Sequence, residues 1–86
     1  MNKTLAIIGG SGLYNVEEFL DRELLDISTP WGKPSDQILR TNFKNKKIYF
    51  LPRHGRGHFI SPSNINFRAN IDALKQLGVT DIVSIS

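Results

Sequence analysis

The sequence predicts an α/β fold built on a mostly parallel sheet, and three observations carry that prediction. Thr4 to Ile8 (TLAII) is an apolar run with little polar alternation, the pattern of a strand covered on both faces, and it feeds directly into Gly9-Gly10-Ser11-Gly12. Lys47 to Leu51 (KIYFL) is a second run of β-formers, stopped by Pro52, which cannot donate to a sheet ladder. A long helical pattern then leads into a third apolar run, Val79 to Ile85 (VTDIVSI). Alternation of this kind places ligand loops at the carboxyl ends of the strands.

The remaining elements follow in order. Val16 to Leu25 is acidic, with Phe19, Leu20, Leu24 and Leu25 apolar, and reads as a short surface helix packed by one stripe. Its carboxylates, Glu17, Glu18, Asp21 and Glu23, read as the solvated face of that helix. Ser28 to Asp36 (STPWGKPSD) holds two prolines, a glycine and the only tryptophan, and reads as a loop anchored by Trp31. Gln37 to Phe43 and Lys47 to Leu51 form a β-hairpin around Lys44-Asn45-Lys46. A helix begins at Ser63, takes its apolar positions from Ile65, Phe67, Ala69, Ile71, Ala73, Leu74 and Leu77, and ends at Gly78 as the residue after the cap.

Eighty-six residues allow one domain at most. A chain of this size buries only about 60% of its unfolded surface, so a parallel-sheet core is marginal without partners or further chain. The absence of cysteine removes disulfides and thiolate metal sites from consideration. Cytoplasm is the default location, since no apolar run approaches a membrane span or a signal segment.

The net charge of +3 is unevenly placed. Residues 1–36 carry three basic and six acidic groups, whereas residues 37–86 carry eight and two. Nucleic acid is disfavoured as the partner, because neither a basic recognition-helix stripe nor an aromatic-basic RNA-binding pattern is present. The anion-facing feature is local: Leu51 to Ile65 (LPRHGRGHFISPSNI) sets Arg53, His54, Arg56 and His58 just after a strand, interleaved with Gly55 and Gly57. Arginine offers a planar fork of donors to an oxyanion, and glycines let the backbone approach closely.

The Gly9 to Gly12 turn is the second anion candidate, with backbone N–H groups and the Ser11 hydroxyl as donors. It completes neither nucleotide motif: Asn15 stands where a dinucleotide fingerprint needs glycine, and no Gly-Lys-Ser/Thr follows. Both candidate loops follow strands, which places them at a common sheet edge. Ser86, also at a strand end, is a third candidate for that edge.

Four ordered blocks, IIGGSGLY, TPWGKPSD, PRHGRGHFISPSNINFRANI and ALKQLG, together resemble the N-terminal part of methylthioadenosine phosphorylases, within the trimeric purine nucleoside phosphorylases. The resemblance covers essentially the whole chain. It implies a purine nucleoside phosphorylase-like mixed sheet flanked by helices, with residues 1–86 forming the N-terminal part of a single phosphorylase domain. It further implies phosphorolysis of 5′-methylthioadenosine to adenine and 5-methylthioribose 1-phosphate, by a homotrimer with no metal or organic cofactor and inorganic phosphate as co-substrate.

By motif position, Ser11 corresponds to the family's phosphate-binding hydroxyl in its glycine-rich loop, with Gly10 beside it. Arg53 and His54 correspond to its phosphate-binding Arg-His pair, and Ser86 to a further phosphate-contacting hydroxyl. Arg56 and His58 match an element used near phosphate and ribose. Family members continue past this point, and their base-recognising acid lies in that continuation, so no catalytic residue is assigned here and the isolated chain is expected to be inactive. Methylthioinosine and 6-oxopurine nucleosides stay open as substrates. A non-catalytic anion-binding or structural role is the alternative outside enzymology.

Overall fold

The computed structural model describes residues 3–10, 20–55, 60 and 64–85. Its elements are β1 (Leu5–Gly9), β2 (Leu20–Leu25), β3 (Ile38–Phe43), β4 (Lys46–Pro52), α1 (Phe67–Gln76) and β5 (Asp81–Ser84). The strands make one five-stranded sheet in the order β2-β3-β4-β1-β5. β1 runs parallel to both neighbours, β4 and β5, while β2–β3 and β3–β4 are antiparallel. The sheet is therefore mixed, as the family resemblance implies, and not mostly parallel: the hairpin adds antiparallel pairings to the parallel βαβ-like part.

One face of the sheet carries the core. Ala6, Ile8, Ile38, Tyr49 and Leu51 pack against Ala73 and Leu74 of α1, with Leu25, Ile27, Leu77 and Val79 closing the margins. These sheet residues share a face because parallel register sets Ala6 beside Tyr49 and Ile8 beside Leu51. Tyr49 to Pro52 are all buried, the mark of a strand covered on both sides. β5 at the sheet margin is exposed throughout.

Helix α1 starts at Phe67 and not at Ser63. Asn66 is the N-cap, its side-chain oxygen accepting from the Ala69 N–H at 3.0 Å, which satisfies one of the donors a helix start leaves orphaned. Ser63 itself lies outside the described residues. At the other end the expectation for Gly78 holds: it takes φ +82°, Val79 N–H bonds the Leu74 carbonyl at 3.2 Å and Gly78 N–H bonds Lys75 at 3.0 Å. That is a Schellman closure, which needs a left-handed residue after the cap.

The helix expected over Val16 to Leu25 is replaced in its described part by strand β2. Leu, Glu and Arg favour helices intrinsically, but here cross-strand pairing decides: Glu23 lies opposite Arg40 of β3 and forms an ion pair with it. A register shift between Leu20 and Glu23, with Asp21 at φ 55°, bends this outer strand. Asp21 and Glu23 thus belong to a strand edge, whereas Glu17 and Glu18 lie outside the described residues. The hairpin turn is also tighter than expected. Lys44 and Asn45 alone form it, both at positive φ (51° and 65°), and Lys46 already opens β4. Two left-handed residues match the twist of the flanking strands.

The loop from Ser28 to Asp36 folds against α1. Thr29 and Gly32 exchange main-chain bonds of 3.2 and 3.1 Å, and the Trp31 carbonyl accepts from Asn66 Nδ2 at 2.6 Å. The Arg68 guanidinium lies 4.9 Å from the centre of the half-exposed Trp31 ring. Trp31 anchors its loop, as its sequence context suggests.

Candidate functional site

The sheet topology brings three carboxyl ends together. β4, β1 and β5 are adjacent and parallel, so Arg53 after β4, Gly10 after β1 and Ile85 after β5 emerge at one edge. The ladder continues into this edge: Arg53 N–H donates to the Gly9 carbonyl at 2.9 Å, and Ile85 N–H donates to the Ile8 carbonyl at 2.8 Å. The two candidate loops share an edge, as expected, over their described parts.

Ile8 lies beside both Leu51 and Ser84, so Ser84 shares a face with those two core residues. Arg53 opens the turn that follows β4. Its side chain crosses the end of β1 and donates from Nη2 to Ser84 Oγ at 2.8 Å and to the Ile85 carbonyl at 2.7 Å. The strand it crosses ends at Gly9, and Gly10 follows it. Among the described residues, an added Cβ at Gly10 meets no atom within 4 Å, so the backbone there is open to close approach.

The turn after β4 gives the basic cluster its shape. Gly55 N–H bonds the Pro52 carbonyl at 3.1 Å, making Pro52 to Gly55 a β-turn with Arg53 and His54 at its centre. Gly55 is buried at φ +75°, a conformation that glycine adopts without steric cost. His54 is half-buried and its Nδ1 lies 2.8 Å from the Ile60 carbonyl. A carbonyl only accepts, so Nδ1 carries the proton in this contact. Ile60 N–H returns a bond of 3.2 Å to the His54 carbonyl. His54 thus closes its own loop from both ends.

Of the sequence candidates, Gly10, Arg53 and His54 are placed by these contacts. Ser11, Arg56, His58 and Ser86 lie outside the described residues. Sequence reasoning passed over Ser84, Ile85 and Ile60. Ser84 becomes visible only through register, since the strand pattern alone does not say which β5 residue lies opposite the arginine. Among the described residues no group of three or more His, Asp or Glu side chains is placed to hold a metal ion. None of their helices is long and apolar enough to cross a membrane.

Comparison with known proteins bears on this edge. The family model of the phosphorylase superfamily matches residues 4–86. The S-methyl-5′-thioadenosine phosphorylase of Cereibacter sphaeroides is 51% identical over 86 residues, which is 100% of this chain and 30% of that protein. A solved methylthioadenosine phosphorylase from an antarctic soil metagenomic library superposes with a TM-score of 0.91 at 47% identity, over 98% of this chain and 30% of its own. The methylthioadenosine phosphorylase of Schistosoma mansoni in complex with adenine gives 0.86 at 42% identity, over 96% and 30%. The chain spans about 30% of the length of these relatives. A glycine strand end and an Arg-His turn on adjacent parallel strands, joined to a family match over nearly every residue, lead to one conclusion: the chain belongs to the phosphorylase superfamily.

Proposed function

We propose that residues 1–86 are the N-terminal part of a single phosphorylase domain and supply the phosphate side of a site that cleaves 5′-methylthioadenosine to adenine and 5-methylthioribose 1-phosphate. The observation that carries this reading is the Arg53 guanidinium tied to Ser84 and Ile85 at the edge where three parallel strands finish. Identity to proteins named methylthioadenosine phosphorylase supports the choice of substrate.

The chemistry such an edge can perform follows from its charge. Phosphorolysis needs an anionic nucleophile held beneath the anomeric carbon, and positioning with electrostatic stabilisation supplies much of the acceleration. By analogy with glycoside hydrolysis, the sugar becomes oxocarbenium-like, so a phosphate dianion beneath it is both nucleophile and counter-charge. Arg53, the loop closed by His54 and the Ser11 and Ser86 hydroxyls orient that anion, with Gly10, Arg56 and His58 around them. The group that protonates the departing purine is assigned to no residue of this chain. The same reading makes the assembled enzyme a cytoplasmic homotrimer that takes phosphate as co-substrate and needs no cofactor.

The test is product analysis with the full-length protein that carries these residues. Phosphate-dependent release of adenine from 5′-methylthioadenosine is the expected result. Faster hypoxanthine release from methylthioinosine or inosine moves the protein to a 6-oxopurine branch, and phosphate binding without turnover of any nucleoside leaves only an anion-binding module.

A further inference from the structure

Ser84 belongs to no anion motif of the sequence, yet it is one of two groups that fix Arg53. Among the described residues the Arg53 side chain makes two hydrogen bonds, both from Nη2, and both acceptors belong to one edge-strand segment: Ser84 Oγ at 2.8 Å and the Ile85 carbonyl at 2.7 Å. That segment is itself tied to β1 through Ile85 N–H and the Ile8 carbonyl at 2.8 Å. The guanidinium is therefore strapped across the end of β1 from a rooted position on β4 to a rooted position on β5.

The donor count makes this arrangement useful for anion capture. A guanidinium has five N–H donors, of which Ser84 and Ile85 take two, leaving the two on Nη1 and the one on Nε for an oxyanion. A free arginine must surrender its rotamer freedom when it grips a ligand, whereas one already held loses little more, and affinity rises accordingly. We propose that Ser84 is a positioning residue for anion capture, presetting the Arg53 guanidinium across the end of β1 to receive inorganic phosphate. This rests on the phosphorylase reading given above.

The test is calorimetric titration of the full-length protein with inorganic phosphate, together with Michaelis constants for both substrates. Ser84→Ala is expected to weaken phosphate binding by roughly three- to tenfold, the net scale of one ordinary hydrogen bond, and to leave the nucleoside constant within about twofold. Ser84→Thr restores phosphate affinity, and in an Arg53→Ala background Ser84→Ala adds no further loss. An unchanged or tighter phosphate constant in Ser84→Ala, or an equal loss in both backgrounds, overturns the proposal while leaving the phosphorylase reading intact. A wild-type protein that binds no phosphate overturns that reading and this proposal with it. Nitrogen-15 relaxation of the Arg53 guanidinium in the wild type gives an answer that needs no variant: a rigid group agrees, and a freely rotating one refutes.

Discussion

Asn70 of α1 and Ser35 of the Pro-rich loop, 35 positions apart in the chain, satisfy each other almost completely. The Asn70 side-chain oxygen accepts from the Ser35 N–H at 2.8 Å and from its hydroxyl at 3.3 Å, while Asn70 Nδ2 donates to Ser35 Oγ at 3.1 Å. Asn70 is 1% exposed and sits beside Ala69 and Ala73 in the buried stripe of α1. Asn66 one turn earlier and Gln76 further on bind the same loop through the carbonyls of Trp31 and Ser28.

Removing this amide leaves the half-buried Ser35 N–H without its partner. Asn70→Ala in the full-length protein is expected to cost about 1–3 kcal/mol and to lower its melting temperature accordingly. Thermal unfolding followed by circular dichroism checks it. A melting temperature within a degree of the wild type shows that water replaces the amide at no cost.

Gly78 is a cleaner case because nothing crowds it. An added Cβ finds no atom within 4 Å, so substitution is opposed only by the backbone at φ +82°. Gly78→Ala should destabilise by about 1 kcal/mol or somewhat more, and Gly78→Asn by less, since asparagine tolerates the left-handed region. Equal stability of the two variants by urea denaturation contradicts the Schellman closure as the reason for glycine here.

These same residues show what a sequence can and cannot disclose. Gly78 was legible because a glycine after a periodic helix has one common use, and β1 and β4 were legible because their apolar runs break at Gly9 and Pro52. β2 was not, since its Leu, Glu and Arg residues are good helix formers and only the partner strand, with Arg40 opposite Glu23, makes them extended. The site divided in the same way. Arg53 announced itself by its position after a strand, but the pairing that sets Ser84 beneath it depends on register between segments far apart in sequence. His54 was legible as a candidate, whereas its bond to Ile60 reflects a loop closure that no local pattern encodes.

The hairpin turn offers a gain in stability. Asn45 occupies φ 65° at the second position of a two-residue turn, where glycine is the preferred residue. Asn45→Gly should stabilise by a few tenths to about 1 kcal/mol, offset in part by the greater freedom of glycine in the unfolded chain. Asn45→Val, with a branched side chain in the left-handed region, should lose at least 1 kcal/mol. A shift of the denaturation midpoint in the opposite order counts against this turn geometry.

The two central residues of the basic turn divide its work. Arg53 reaches across β1 to Ser84, while His54 donates Nδ1–H to the Ile60 carbonyl and so ties its turn to Ile60. Arg53→Ala in the full-length protein should therefore raise the Michaelis constant for phosphate tenfold or more, since a charge-assisted contact to an anion is lost, and change that for nucleoside little. His54→Ala keeps the main-chain bond from Ile60 N–H but loses the side-chain one, so amide exchange at Ile60 should quicken, and both Michaelis constants should rise together as the loop loosens. His54→Asn, which retains an N–H donor on a shorter side chain, should recover part of the protection. If Arg53→Ala affects phosphate and nucleoside equally, or if His54→Ala affects phosphate alone with Ile60 exchange unchanged, the division of labour between charge and loop closure is wrong.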